Sequence, residues 1–423
     1  MIPNRLLAAV RSWGLRTLSR APSWLNGSVD RVVDQVFLRA NNVVGAWRYR
    51  ARSAGTETLP DIPVPTGAAR VLVAPANYAG QGNAWARAIT SHVEEAGAVN
   101  LAIEIPGRLQ FSSDYTVSES MNLYDRAWQS RELAHVVENF THVLVEAETP
   151  IFGMKFGGSP SAEQRYFEEH GLSMAYICHG TDIRSPRRHI EATPFSPFFD
   201  EDVYFDRVQR RADRNFAVLE HAGVPVFVST PDLIDDFPRG TWVPVVVDTA
   251  AWAAGADEDD AQRTDVPLVL HSPSRASVKG SQLIRAAVTT MADRGVLRYS
   301  ELSGVPPMQV RRAVMEADIV LDQFRLGSYG VAACEAMAAG KVVLGHVTPR
   351  VREYVLEKTG LVLPIVEATP DTLEQVLTDI LGDRSRMRDT GAAGQHFVRE
   401  VHDGRWSASR LEEQWIRKDR SAL

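Results

Sequence analysis

Gly327-Ser328-Tyr329-Gly330-Val331-Ala332-Ala333-Cys334-Glu335-Ala336-Met337-Ala338-Ala339-Gly340-Lys341-Val342-Val343-Leu344-Gly345 is the stretch on which the fold turns. The apolar run Ala317 to Asp322 before it has the character of a buried parallel strand. A glycine turn follows, then good helix formers from Val331 to Ala339, a stop at Gly340, and a second buried strand from Lys341 to Leu344. The order is strand, glycine turn, helix, strand. The first amides of such a helix lack intrahelical partners, and the helix dipole adds partial positive charge there. A phosphate is the natural guest. Glu335, one turn in, can accept hydrogen bonds from a ribose or sugar diol. An ordinary α/β turn whose glycines only permit tight packing has the same spacing.

Outward from this stretch the alternation continues. Val71 to Pro75, Leu101 to Ile105, Thr141 to Val145, Met174 to Cys178 and Val224 to Thr230 read as strands, separated by helical segments such as Asn83 to Ala96 and Ser130 to Glu138. Trp242 to Asp248 follows as a short strand and then an Asp. After the acidic stretch Asp257-Glu258-Asp259-Asp260 a second series begins at Leu268-Val269-Leu270-His271. It continues through Tyr299 to Val305 and a helix at Pro307 to Glu316, and past the opening stretch into a strand at Leu361 to Leu363. Strands alternating with helices predict parallel α/β sheets.

Composition sets the limits. With 423 residues the chain has room for two or three domains, each with its own core, and 44% hydrophobic with 23% charged residues is the balance of a globular protein. Cys178 and Cys334 cannot form a disulfide framework and sit in apolar or small-residue runs, which points to a reducing, cytoplasmic setting. No Cys/His group has zinc spacing. The net charge of −7 is uneven: residues 1–52 hold nine arginines against Asp30 and Asp34, hence +7, leaving −14 for the rest. Trp13, Trp24 and Trp47 lie among those arginines, and no apolar run there reaches the ~18 residues of a membrane span. Arginine with interleaved Trp and Leu suits helices lying on an anionic membrane surface, the inner face of the plasma membrane. A basic extension packed on the acidic domains has the same composition. Nucleic acid is not expected as a partner, since the rest of the chain is acidic and carries no nucleic-acid motif.

Three further stretches carry chemistry. Asn77-Tyr78-Ala79-Gly80-Gln81-Gly82 joins the first strand to the first helix, and such a glycine loop can approach a phosphate or sugar closely. His179-Gly180-Thr181-Asp182-Ile183-Arg184 follows the strand that ends at Cys178. A histidine at a strand's carboxyl end sits where open α/β sheets place ligand groups. A histidine satisfied by backbone is the plain alternative, and Asp182 and Arg184 can orient it, bind acceptor or cap the next element. Ser274-Arg275-Ala276-Ser277-Val278-Lys279-Gly280 precedes a helix near Ser281. A cation beside a helix N-terminus suits a diphosphate, although most lysines simply face solvent.

Taken together these segments resemble the retaining, two-domain (GT-B) glycosyltransferases of the family 4 type, over about residues 70 to 405. Their signature is a Glu, seven residues and a second Glu, with a Gly-aromatic-Gly turn after the first. Here the second Glu is Glu335, the turn is Ser328-Tyr329-Gly330, and the first Glu falls at Gly327 and is missing. The resemblance implies two Rossmann-like doubly wound domains facing a cleft. The expected organisation is a basic helical extension and linker over 1–60, an acceptor domain over 61–250 and an acidic hinge over 251–262. A nucleotide-sugar domain follows over 263–400, and a C-terminal helix over 401–423 crosses back.

The resemblance also implies sugar transfer from a nucleotide-diphosphate donor to a glycan or lipid-linked acceptor, with retention and without a metal or other cofactor. Arg275, Lys279, Ser328, Tyr329, Gly330, Val331 and Glu335 would bind donor. Lys279-Gly280 matches the family's pair directly, whereas the family's Arg falls at Ser274, one place before Arg275. His179 and Glu335 would be catalytic, and Gly80, Gln81, Gly82 and Asp182 would line the acceptor side. The missing Glu also allows two alternatives: a silent GT-B scaffold or partner protein, and a sugar-nucleotide isomerase of related architecture.

Overall fold

The computed structural model describes residues 59–107, 109–200, 205–254 and 266–417. The basic extension up to residue 58 and most of the acidic hinge lie outside the described residues, as does the last part of the C-terminal segment. The first sheet has seven strands: β1 (Ala69–Ala74), β2 (Ala96–Glu104), β3 (Tyr115–Ser118), β4 (His142–Glu146), β5 (Ser173–Cys178), β6 (Val226–Val228) and β7 (Thr241–Trp242). Their order is β3-β2-β1-β4-β5-β6-β7, and every pairing is parallel. The second sheet has β8 (Leu268–His271), β9 (Arg298–Glu301), β10 (Ile319–Leu321), β11 (Val342–Gly345) and β12 (Val366–Glu367), ordered β12-β11-β10-β8-β9 and again all parallel. The helices needed below are α1 (Gln81–His92), α2 (Pro186–Ala192), α3 (Ala276–Lys279), α4 (Ser281–Asp293), α5 (Pro307–Glu316), α6 (Val331–Ala338), α7 (Pro349–Thr359), α8 (Arg384–Val401) and α9 (Arg405–Leu411).

Continuous apolar strands are what a sheet covered on both faces requires. Successive residues of β1, β4 and β5 serve opposite layers. Leu72, Val143, Val145 and Tyr176 join one core, and Val71, Val73, Leu144, Ala175 and Ile177 join the other. Trp85 of α1 and Trp415, beyond α9, complete the second layer. The indole of Trp415 donates to Ser173 Oγ at 2.8 Å, so the C-terminal segment is part of the first domain's packing. In the second sheet Val269, Ile319 and Leu344 face Ile284 and Leu377, while Leu270, Val320 and Val343 lie in the core of Ala333, Met337 and Phe397.

Two strand expectations differ from what is found. Trp242 to Asp248 is a strand only at Thr241–Trp242. The remainder runs extended out of the sheet, because Gln81 takes up the backbone of Val246 in place of a neighbouring strand. Leu361 to Leu363 is not a strand. Val362 is 76% exposed, and the pairing with β11 falls at Val366–Glu367. Among the described residues no helix is long and apolar enough to cross a membrane.

Candidate active site

In the first domain the adjacent strands β4 and β5 end together, with Glu146 opposite Ile177. Glu146 is wholly buried. Its carboxylate accepts from the amides of Ala76 at 3.0 Å and Asn77 at 3.1 Å, and lies 3.0 Å from His179 Nε2. A buried carboxylate needs such donors, and three are supplied. Gly82 makes this arrangement possible. A Cβ there would stand 2.7 and 2.9 Å from the two carboxylate oxygens, so any larger residue would push Glu146 off the histidine. Tyr78 meets the His179 ring edge-on at 5.1 Å and Trp85 tilts over it at 5.2 Å. The imidazole is thereby held on several sides, with its side chain 10% exposed.

The other residues expected on the acceptor side have different duties. Asp182 is buried, and its carboxylate accepts from the amides of His179, at 2.7 Å, and of Gly180. It shapes the turn that carries His179 and has no free face for an acceptor. Gln81 is buried and bonds both backbone groups of Val246, at 3.0 and 2.7 Å, so its amide serves the crossing segment. Gly80 lies beneath Phe111. Arg184 pairs with Asp232 at 2.6 Å.

Among the described residues, Glu148, Cys178 and Asp182 place ligand-type atoms within 4.8 Å of one another. Each is already engaged: Cys178 donates to Glu148 at 3.1 Å, Asn215 donates to Glu148 at 2.9 Å, and Asp182 holds its two amides. Burial pushes the Cys178 thiol well up, and the neighbouring carboxylates of Glu148 and Asp182 push it further, so it stays protonated.

In the second domain Lys279 ends α3 and forms an ion pair with Asp322, which follows β10. The pair is nearly closed to solvent, at 16% and 2% side-chain exposure. Glu335 stands in the middle of α6. Burial raises its pKa to about 7, and the positive charges of Lys279 and Arg311 oppose that rise. Arg311 of α5 is anchored by its bond to the Ala251 carbonyl at 2.6 Å and by the Trp252 ring at 5.3 Å. Lys279, Asp322, Glu335 and Arg311 therefore share one electrostatic neighbourhood at the carboxyl edge of the second sheet. Gly330 is the N-cap of α6. No side chain caps this helix, and nothing lies within 4 Å of where a Gly330 Cβ would be. The amides of the first α6 turn, at Val331, are open to an anion.

Tyr329 turns away from that opening. Tyr329 is buried, with its hydroxyl 3.2 Å from His402 Nε2 and its ring against Phe397. Ser328 is buried, and its Oγ has no hydrogen-bond partner among the described residues. Burial alone would raise the Asp232 pKa, but the Arg184 guanidinium outweighs it and holds it below its usual value. The Tyr329 side chain is thus committed to the core, and only its backbone is left for a donor site. Arg275 is exposed and has no ion pair among the described residues. At Gly327 the backbone is left-handed, with φ +68°, and a Cβ would stand 2.6 Å from Thr348 Cγ2. A glutamate does not fit there without displacing α7's capping residue.

Two features were not foreseen from sequence: Glu146 and the pairing of Asp322 with Lys279. A carboxylate closing an apolar parallel strand was the available sign of Glu146, since the carboxyl ends of such strands are where ligand groups collect.

A sucrose-phosphate synthase from Thermosynechococcus elongatus has the same architecture, with a TM-score of 0.51 over 86% of this chain and 97% of its own, at 14% identity. The fold is GT-B. HepE of Anabaena, solved with UDP and glucose, is also similar, with a TM-score of 0.49 at 10% identity over 81% of this chain and 98% of its own. So is WaaG, a glycosyltransferase involved in lipopolysaccharide biosynthesis, at 0.45 and 11% over the same shares. No protein-family model and no curated protein sequence matches the chain.

Proposed function

We propose that this GT-B protein transfers a sugar from a nucleotide-diphosphate donor to a hydroxyl of a glycan or lipid-linked acceptor, with retention of configuration. One observation carries the proposal: a lysine, a half-buried glutamate and an uncapped helix N-terminus with open space before it converge at the carboxyl edge of the second sheet. Lys279 and the amides at Gly330 and Val331 would take the diphosphate, and Glu335 the ribose diol. Positive charge at the leaving diphosphate stabilises the transition state electrostatically, so the chemistry asks for no metal. His179, oriented by Glu146, would face the transferred sugar and the acceptor. The donor must compete with Asp322 for Lys279, because the two are paired here. The basic segment 1–52 would hold the protein at the cytoplasmic face of the plasma membrane.

The test is ligand-observed NMR with UDP-, GDP- and ADP-sugars, with Lys279→Ala as control. One donor should bind the wild-type chain and lose at least ~10-fold in affinity on the substitution, as expected for a charged contact to phosphate. Failure of every donor to bind folded protein rejects the donor site.

Gly327 favours a second reading, a GT-B scaffold that binds donor without turning it over, since the family's first glutamate has neither residue nor room here. Binding without transfer or hydrolysis would support it. An isomerase would instead convert donor in the absence of acceptor.

A further inference from the structure

Arg325 lies in the loop between β10 and α6, five residues before Gly330, and is 6% exposed. Every nitrogen of its guanidinium is engaged. Nε donates to the Phe195 carbonyl at 2.9 Å, and Nη2 to the Ser196 carbonyl and Asp200 Oδ1, each at 2.9 Å. Nη1 donates to Asp200 Oδ2 and, at 3.1 Å, to the carbonyl of Ser277. Phe195, Ser196 and Asp200 belong to the first domain. Ser277 belongs to α3, the helix whose last residue is Lys279. One side chain therefore joins the phosphate-binding helix of the second domain to a segment 125 residues away in the first. The stem of Arg325 also lies against Gly280, next to Lys279. Two lesser bonds run along the same seam. The Leu326 carbonyl lies 3.2 Å from His189 Nε2, and Thr193 Oγ1 lies 3.3 Å from His346 Nε2.

We infer that Arg325 is a positioning residue that latches the cleft, fixing the height of Lys279 relative to the first domain through Asp200 and Ser277. An arginine suits this task because its rigid fork satisfies a carboxylate in two places while its remaining donors reach carbonyls. A lysine would keep the charge and lose the carbonyl contacts. The latch rests on geometry alone. Its purpose, holding the donor's phosphates at a fixed distance from His179, rests on the glycosyl-transfer reading.

Asp200 is the residue to change first. Its side chain is 35% exposed, so Asp200→Ala leaves no cavity in a core. Small-angle scattering of the full chain should show a larger radius of gyration for Asp200→Ala than for wild type. Hydrogen exchange should show protection at residues 276–280 lowered about 10-fold or more, because a buried guanidinium has lost its charge partner. Arg325→Lys should fall between the two. With UDP as the probe, the dissociation constant should shift by less than about 3-fold, unlike Lys279→Ala, while any transfer rate constant falls about 10-fold or more. Unchanged scattering and exchange in Asp200→Ala and Arg325→Lys overturns the latch, whether or not UDP binds. Loss of UDP binding matching that of Lys279→Ala overturns the positioning role and makes Arg325 a donor ligand. Wild-type chain that fails to bind UDP or any other nucleotide, yet opens on Asp200→Ala, rejects the transfer reading and leaves the latch standing.

Discussion

Gly327→Ala should destabilise the second domain by an amount that can be divided into two parts. Gly327 sits at φ +68°, and a Cβ would be 2.6 Å from Thr348 Cγ2. The left-handed backbone costs an L-residue about 1–2 kcal/mol. Pressing a methyl into a filled site adds about 1–3 kcal/mol. The more restricted unfolded chain returns roughly 0.4–1 kcal/mol. The net loss is about 2–4 kcal/mol, a fall in Tm of about 5–10 °C for a domain of this size.

Thr348 allows the two parts to be separated. Its Oγ1 caps α7 by accepting from Val351 N at 3.4 Å, while the clash involves only its Cγ2. Thr348→Ser keeps the cap and deletes the methyl. Urea unfolding of Gly327→Ala with Thr348→Ser should therefore recover about 1–2 kcal/mol relative to Gly327→Ala and leave the backbone share in place. A Gly327→Ala protein within about 0.5 kcal/mol of wild type refutes the reasoning. So does a double variant no more stable than the single. Either result would reopen this position to the family's glutamate.

Two further expectations follow from the same region. Glu335 has a folded pKa of about 7 against 4.5 unfolded, so its stabilising contribution is complete below pH 4.5 and is lost as pH rises through 7. Glu335→Gln, which cannot titrate, should gain on wild type by up to about 3 kcal/mol between pH 5 and pH 8.5, and a flat difference in urea-unfolding free energy would contradict it. Glu163, also raised to about 7 by burial, is common to both proteins and cancels. Tyr329→Phe should cost about 1–2 kcal/mol by leaving His402 Nε2 unpartnered, with nucleotide binding unchanged. Lost binding without lost stability would mean that the hydroxyl serves the donor.

The layered architecture was legible because local signals suffice for it. Short apolar runs between glycine or polar breaks suit buried strands, and their alternation with helices favours parallel pairing. His179 was legible for the same reason, by its place at a strand end. What escaped was whatever depends on a partner far along the chain. Glu146 meets His179 across 33 residues, Lys279 meets Asp322 across 43, and Tyr329 meets His402 across 73. Tyr329 shows the consequence. A Gly-aromatic-Gly turn at a helix start reads as ligand-facing, but a hydroxyl that finds a buried imidazole turns inward. Gln81 and Asp182 behave likewise: a polar side chain in a glycine loop looks free until the backbone groups it satisfies come into view.

The chain passes between its domains twice, and the two passages touch. Val247 N donates to the His402 carbonyl at 2.9 Å, and His402 Nδ1 lies 2.8 Å from the Val245 carbonyl. A single connecting strand acts as a swivel, free to twist about its own length. Two segments pinned side by side resist torsion more than one does. Those two bonds tie the end of the first domain's chain to the segment that returns to it. The Arg325 contact ties the two domains again through residues 195–200.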